Sequence, residues 1–238
     1  MNYRPTQSPV AVEAFPFAFP LAVASFLAFL LGYQVIGVLL FFFFVYVIVF
    51  FRNPQRYGTR KPGAVLAGAD GKIVAAGIVQ NPEFEDGQCL RIAIFMSLFD
   101  CHINWSPYAG KVEESTHHLG KFLNAMDDKC SDDNERKVIK LRTPEGYRVI
   151  VKLVAGLVAR RIVCPIEAGD ELASGEKVGL IRFGSRVEIL LPAQSKLLVQ
   201  SGMMVRGGET IVANLPDGVP PGYSELRAAI SADTGLHA

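Results

Sequence analysis

Residues 171–192 read ELASGEKVGLIRFGSRVEILLP. Val, Leu and Ile dominate the stretch and glycines punctuate it, which is the pattern of short strands. At its centre, Ile181-Arg182-Phe183-Gly184-Ser185-Arg186 sets a Gly-Ser step between two apolar strand-like runs. In most proteins such a step is a turn or a bulge. It is also one of the few peptide bonds that can cut itself. The serine hydroxyl attacks the carbonyl of the preceding residue and the amide becomes an ester. Glycine at that carbonyl removes the side chain that would obstruct the tetrahedral centre, and it tolerates strained backbone angles. Elimination leaves dehydroalanine, which tautomerises and hydrolyses to a pyruvoyl group, a carbonyl electrophile at the new N-terminus.

The same β pattern extends outward from this stretch. Val65-Leu66-Ala67 and Ile73-Val74-Ala75-Ala76 predict two strands around the Asp70-Gly71 turn. Residues 90–97 (LRIAIFMS) read as a buried strand. Residues 111–116, 138–142 and 147–156 read as further strands, the last two paired across Thr143-Pro144-Glu145-Gly146. Residues 121–129 have room for a turn of helix. Residues 197–215 are β again, with turns at Gly202 and Gly207-Gly208, and the Pro- and Gly-rich tail from Pro216 is expected to be poorly ordered. The phrases GEKVGLI (175–181) and GGETIVANL (207–215) are weakly alike and resemble the turn-strand units of biotinyl and lipoyl barrel-sandwich domains. That likeness bears on fold only. The carrier function needs a lysine at an exposed hairpin tip, and none is seen.

From Ala14 to Phe51 the chain carries no charge for thirty-eight residues. One spanning helix needs about 20, so the run is too long for one span. Gly32-Tyr33-Gln34 interrupts it, predicting short helices over 15–31 and 35–51; a re-entrant hairpin and a pair of buried core helices are the competing readings. Arg4 precedes the run, and Arg52, Arg56, Arg60 and Lys61 follow it, which places both ends in the cytoplasm. The organisation expected is a tail over 1–13, a membrane hairpin over 14–51, a catalytic β-rich domain over 52–215 and a flexible tail over 216–238. The fold class is mainly β (α+β), barrel-sandwich-like, with the apolar helical hairpin in front.

The net charge of +1 gives no reason to expect nucleic acid. Cys89, Cys101, Cys130 and Cys164 lie far apart with no CxxC and no Cys/His cluster, so no metal site is expected and the thiols read as reduced. Asp70 sits in Ala-Asp-Gly, ordinarily only a turn. Asp100 and His102 follow the buried strand, at a point where a base can be rigidly aimed. Self-cleavage needs a base for the Ser185 hydroxyl, and an imidazole held by a carboxylate supplies one. Arg160-Arg161 is either a solvated pair or an anion site.

Taken together, GADGK (68–72), FMSLFDCHINWSPYAG (95–110), GKFLNA (120–125), DKCSDDNER (128–136), VAGLVARRIVC (154–164) and IRFGSR (181–186) resemble the phosphatidylserine decarboxylase family in its short bacterial form. The blocks run in family order, and FFRNPQR (50–56) after an apolar hairpin resembles the family's N-terminus. The resemblance implies an enzyme that cuts itself at Gly184-Ser185 into β (1–184) and α (185–238) chains, which stay together as a heterodimer. Ser185 becomes the pyruvoyl cofactor, which takes the substrate amine as a Schiff base. Asp70 and His102 match positions tied to processing and catalysis. Arg136, Arg160 and Arg161 are candidates for the lipid phosphate. Long-form members carry a second histidine three residues after the first, where this chain has Trp105. The implied location is the cell (inner) membrane with the catalytic domain cytoplasmic, and a homo-oligomer stays open. The alternatives are a pyruvoyl decarboxylase of a related serine lipid or a soluble amino acid, and a non-enzymatic membrane-anchored adaptor that would remain uncut.

Overall fold

The computed structural model describes residues 8–58, 61–123, 125–126, 130–157, 161–182 and 184–216. A 3-10 turn, Val12–Ala14, runs into helix α1, Phe15–Leu30. Pro16 occupies the first turn, where its missing N–H is not needed. Gly32, at φ 82°, reverses the chain into α2, Gln34–Phe50. The two helices pack as an antiparallel pair, with the Ser25 hydroxyl donating to the Gly37 carbonyl at 2.9 Å. The Phe29 ring rests where a side chain at position 37 would stand. Phe19, Phe26, Phe42 and Phe43 face outward. The run Val12–Leu30 is long and apolar enough to cross a membrane, while Gln34–Phe50 is shorter.

The strands, in order, are β1 Ala64–Leu66, β2 Gly71–Gln80, β3 Gln88–Met96, β4 Ile103–Trp105, β5 Gly110–His118, then a short helix α3 Cys130–Asp133, β6 Arg136–Arg142, β7 Arg148–Ala155, β8 Ile162–Val163, β9 Glu171–Leu172, β10 Lys177–Ile181, β11 Ser185–Pro192, β12 Lys196–Leu197, β13 Met204–Val205 and β14 Ile211–Asn214. Eight of them form one antiparallel sheet in the order β13-β2-β3-β11-β7-β6-β5-β9, curled into a half-barrel. Two three-stranded sheets, β1-β14-β12 and β4-β10-β8, accompany it. Alternate residues of the central strands (Ile92, Ile94 and Met96, Val187, Ile189 and Leu191, Val151 and Leu153) fill one core with Val65, Val178, Ile181 and Val212 from the smaller sheets. Each such side chain contributes about 1.5–3 kcal/mol on burial. The other face of β11 packs Leu190 against Phe84, Cys89, Val138 and Ile150. β11 is buried on both faces from Ser185 to Leu191, and its second face holds the charged residues Arg186 and Glu188 as a buried pair beside Leu190.

The mainly-β class, the two hairpin helices and the β6–β7 pairing across residues 143–146 match expectation. Two details differ. The strands around Asp70-Gly71 do not pair with each other: β1 joins β14 and β2 joins β3 and β13, so this turn passes the chain between sheets. Of residues 121–129, where a turn of helix is expected, 121–123 and 125–126 are not helical, with Asn134 binding both backbone groups of Leu123, while 124 and 127–129 lie outside the described residues and a short helix follows at Cys130–Asp133. The tail over 217–238 lies outside the described residues, as do residues 1–7.

The base of the hairpin belongs to the β domain. Phe50, Phe51, Ala11 and Ala14 share a small apolar core with Cys101, Ile103, Trp105 and Leu180. The chain entering and the chain leaving the hairpin are tied by Ala11 N–H to Phe51 O at 2.8 Å and Asn53 N–H to Pro9 O at 2.7 Å.

Candidate active site

Ser185 opens β11, paired with Met96 on one side and Ala155 on the other, and is fully buried. Among the described residues its hydroxyl has no hydrogen-bond partner. A buried unbonded hydroxyl costs on the order of 1–3 kcal/mol and asks for an explanation. The residue before it, Gly184, holds φ 62°, the left-handed region that favours glycine. Apart from its chain neighbours, a side chain at 184 would meet nothing within 4 Å, so conformation rather than space calls for glycine there. Space is the issue at Gly156. A Cβ on Gly156 would lie 2.1 Å from the Gly184 oxygen and 3.0 Å from its carbon. The carbonyl that Ser185 would attack is therefore seated against the bare Cα at the end of β7.

His102 reaches the same residue from the β3–β4 connection. Its Nε2 lies 3.2 Å from the Gly184 nitrogen and its Nδ1 lies 3.0 Å from the Asp100 carbonyl oxygen. An amide N–H only donates, so Nε2 accepts, and Nδ1 carries the proton and donates to Asp100. Burial pushes the imidazole down to about 4, against the bond and charge of Asp100, and Arg52 pushes the same way as burial. The Phe50 ring covers the imidazole at 4.1 Å between centroids. His102 is thus a neutral base whose lone pair points at Gly184. Its orienting partner is the backbone oxygen of Asp100, not a carboxylate. The Asp100 carboxylate instead accepts from the Ser97 N–H at 2.8 Å and hydroxyl at 2.6 Å.

Asp70 occupies a neighbouring cluster. Its carboxylate accepts from Arg56 Nη2 at 2.7 Å and from the Gly207 N–H at 2.8 Å. Burial raises it above the ordinary carboxylate value despite Arg56, which pulls it down. Among the described residues no hydrogen bond joins Asp70 to His102 or Ser185. Arg56 also reaches Glu209 at 3.3 Å and stacks over Trp105 at 5.1 Å, and the Trp105 ring fills the space beside Gly207. Trp105, at the second-histidine position, is thus wholly buried as a packing residue.

The candidate arginines divide. Arg136 donates to the Asp132 and Asn134 carbonyls, at 2.6 and 3.3 Å, and so serves its own loop. Arg161 is exposed, and Arg160 lies outside the described residues. Sequence reasoning passed over three residues here. Arg182 stands two residues before Gly184 with its guanidinium 5.6 Å from the Phe17 ring of α1. Asn134, fully buried, donates to Ala155 O at 2.7 Å and so ties the 121–123 segment to the end of β7. Gly156 is the third. All lie in the motif blocks of the sequence, but a single sequence does not say which residue of a block meets the Gly184 carbonyl. On the opposite face of β11, Arg186 and Glu188 pair at 2.9 Å with Ser131 donating to the same carboxylate at 2.6 Å. Burial pushes the Cys89 and Cys164 thiols up to about 11, which disfavours them as nucleophiles. No metal-ligand cluster occurs among the described residues.

A family model described as phosphatidylserine decarboxylase matches residues 43–213. Curated proteins named phosphatidylserine decarboxylase proenzyme are similar along most of their length. The one from Citrifermentans bemidjiense is 41% identical over 219 residues, 90% of this chain and all of that protein. That from Symbiobacterium thermophilum is 42% identical over 87% of this chain and 96% of its own, and that from Nitrobacter winogradskyi 41% over 90% and 87%. The match begins within α2 and takes in every strand that frames Ser185, and with it the chain belongs to the phosphatidylserine decarboxylase family.

Proposed function

We propose that the chain is a proenzyme that cuts itself at Gly184-Ser185 and then converts phosphatidylserine to phosphatidylethanolamine and carbon dioxide. The observation that carries this reading is the unbonded Ser185 hydroxyl beside a glycine carbonyl whose own N–H is held by a neutral histidine. The Ser185 Oγ–Gly184 C bond forms as the Gly184 C–Ser185 N bond breaks, and the hydroxyl proton passes by way of His102 Nε2 to the amine released. Loss of the Ser185 Cα proton then expels the Gly184 carboxylate. Tautomerisation and addition of water release ammonia and leave the pyruvoyl group. Asp70 and Arg56 lie before the cut, and Gly207 and Glu209 after it, so this cluster holds the two fragments together.

The pyruvoyl group at position 185 supplies an electron-withdrawing carbonyl for decarboxylation. The chain's own residues bind and deliver protons. Cutting leaves a carboxylate on Gly184, whose nitrogen His102 already holds. A negative charge that close raises an imidazole pKa. His102 is then a base in the uncut chain and a protonated acid in the cut one, ready to protonate the carbon that lost carbon dioxide. Arg182 and Arg161 are the guanidinium groups suited to the lipid phosphate. The apolar hairpin with basic flanks supports a place at the inner membrane, with the catalytic domain on the cytoplasmic side.

Intact mass tests the reading. Wild type should appear as residues 1–184 and 185–238, the second blocked to Edman degradation, and Ser185→Ala as one inactive chain. A preparation active on phosphatidylserine while uncut would end it.

A further inference from the structure

The connection between β3 and β4 carries two large apolar side chains at its tip: Leu98 is 40% and Phe99 81% exposed. Single exposed apolar residues are ordinary, so position decides their meaning. The turn is rigid. The Asp100 carboxylate accepts from both the backbone and the hydroxyl of Ser97, and the Asp100 N–H returns to Ser97 O at 3.0 Å. It is also fastened to the end of the apolar hairpin. Arg52 donates to Phe99 O at 3.0 Å, and the Tyr46 hydroxyl donates to Leu98 O at 3.3 Å. Tyr46 lies four residues before the end of α2, which is about 6 Å back along the helix axis. Helix side chains lean toward the N-terminus, here further into the apolar part. The Leu98–Phe99 tip therefore stands level with the last turn of α2. That is the depth at which Tyr and Arg flank a bilayer core.

We propose that Leu98 and Phe99 enter the lipid bilayer beside α2 and set the active site at headgroup depth. The occupant of this surface is lipid and not a protein partner, because the tip is fastened through Tyr46 and Arg52 to the end of the apolar hairpin, where α2 exposes Val45 and Val49. The consequence for chemistry is direct. The Asp100 carbonyl that ends this turn holds His102 Nδ1–H, and Phe50 at the end of α2 covers the same ring. Anchoring the turn in lipid fixes His102 relative to the headgroups, so a serine headgroup reaches position 185 while its acyl chains stay in the membrane. This rests on the membrane reading of the hairpin and on a phospholipid substrate.

The test uses the full chain in vesicles of phosphatidylcholine and phosphatidylserine. An environment-sensitive fluorophore on Phe99→Cys should be shielded from a water-soluble quencher, as should one on Phe42→Cys in the hairpin, each read against wild type treated with the same label. Shielding at 42 with full quenching at 99 overturns this proposal alone. Quenching at both overturns the membrane reading as well. The double variant L98S/F99S should still cut itself. Its activity on vesicle substrate, divided by its activity on a short-chain monomeric phosphatidylserine, should fall about tenfold or more, the scale of withdrawing two large apolar groups from lipid. An unchanged ratio also overturns the proposal.

Discussion

Gly156→Ala is the substitution whose effect follows most directly from the geometry. The added Cβ would stand 2.1 Å from the Gly184 oxygen. A carbon rests no closer than about 3.3 Å to a carbonyl oxygen, so the two must separate by roughly 1.2 Å. The obstructing atoms are backbone, and β7 is pinned on both edges by β6 and β11, so the chain around Gly184 has to give. A displacement near 1 Å from an attacking geometry costs on the order of 10²-fold in rate, equivalent to about 2.7 kcal/mol of barrier. The assay is the fraction of chain cut against time after cell-free synthesis, read by gel and intact mass. Gly110→Ala is the matched control. Its Cβ would lie 2.6 Å from Arg142 O, a comparable backbone clash at the start of β5 and remote from the cut. Both variants should lose stability, but only Gly156→Ala should lose two orders of magnitude in cutting. A folded Gly156→Ala that cuts within threefold of wild type would refute the idea that this bare Cα seats the scissile carbonyl.

Three other expectations follow from buried ionisable groups. In Ser185→Ala, which stays uncut, the His102 ring should titrate near 4 by NMR, and in the cut enzyme it should titrate higher; equal values would remove the base-to-acid exchange. The sign for stability is that an unfolded histidine takes its proton near 6.5 while the folded uncut one does not. Stability of Ser185→Ala should then be insensitive to this group above 6.5 and fall as pH drops from 6.5 toward 4, and His102→Gln in the same background should lessen that fall. Arg186→Met removes the 2.9 Å ion-pair partner of Glu188, which is 1% exposed and keeps only the Ser131 hydroxyl at 2.6 Å and the more distant Arg91 at 4.0 Å, and should cost about 3–5 kcal/mol in urea unfolding of the uncut form. Pairing it with Glu188→Gln should recover most of the loss, and a cost under 1 kcal/mol would contradict a buried ion pair there.

Three things were legible in the sequence alone because they depend on short-range pattern. Thirty-eight uncharged residues broken at Gly32 specify two apolar helices, since an unpaired charge in such a run would be expensive and a glycine ends a helix. Runs such as LRIAIFM and VEILL specify strands buried on one or both faces, and the Gly-Ser step is a local chemical feature that needs no fold to be noticed. Tertiary structure decided the rest, because it depends on strand register and on contacts between distant segments. His102 meets Gly184 across 82 residues, and Asp70 meets Gly207 across 137. An Asp-Gly turn looks the same in sequence whether it closes a hairpin or carries the chain between sheets. Here the pairing of β1 with β14 sends it between sheets and delivers Asp70 to Arg56 rather than to the imidazole. Nothing local in Val-Ala-Gly marks Gly156 as a seat for another residue's carbonyl. Only the register of β7 on β11, Ala155 opposite Ser185, brings the bare Cα that follows one strand against the Gly184-Ser185 bond that opens the next.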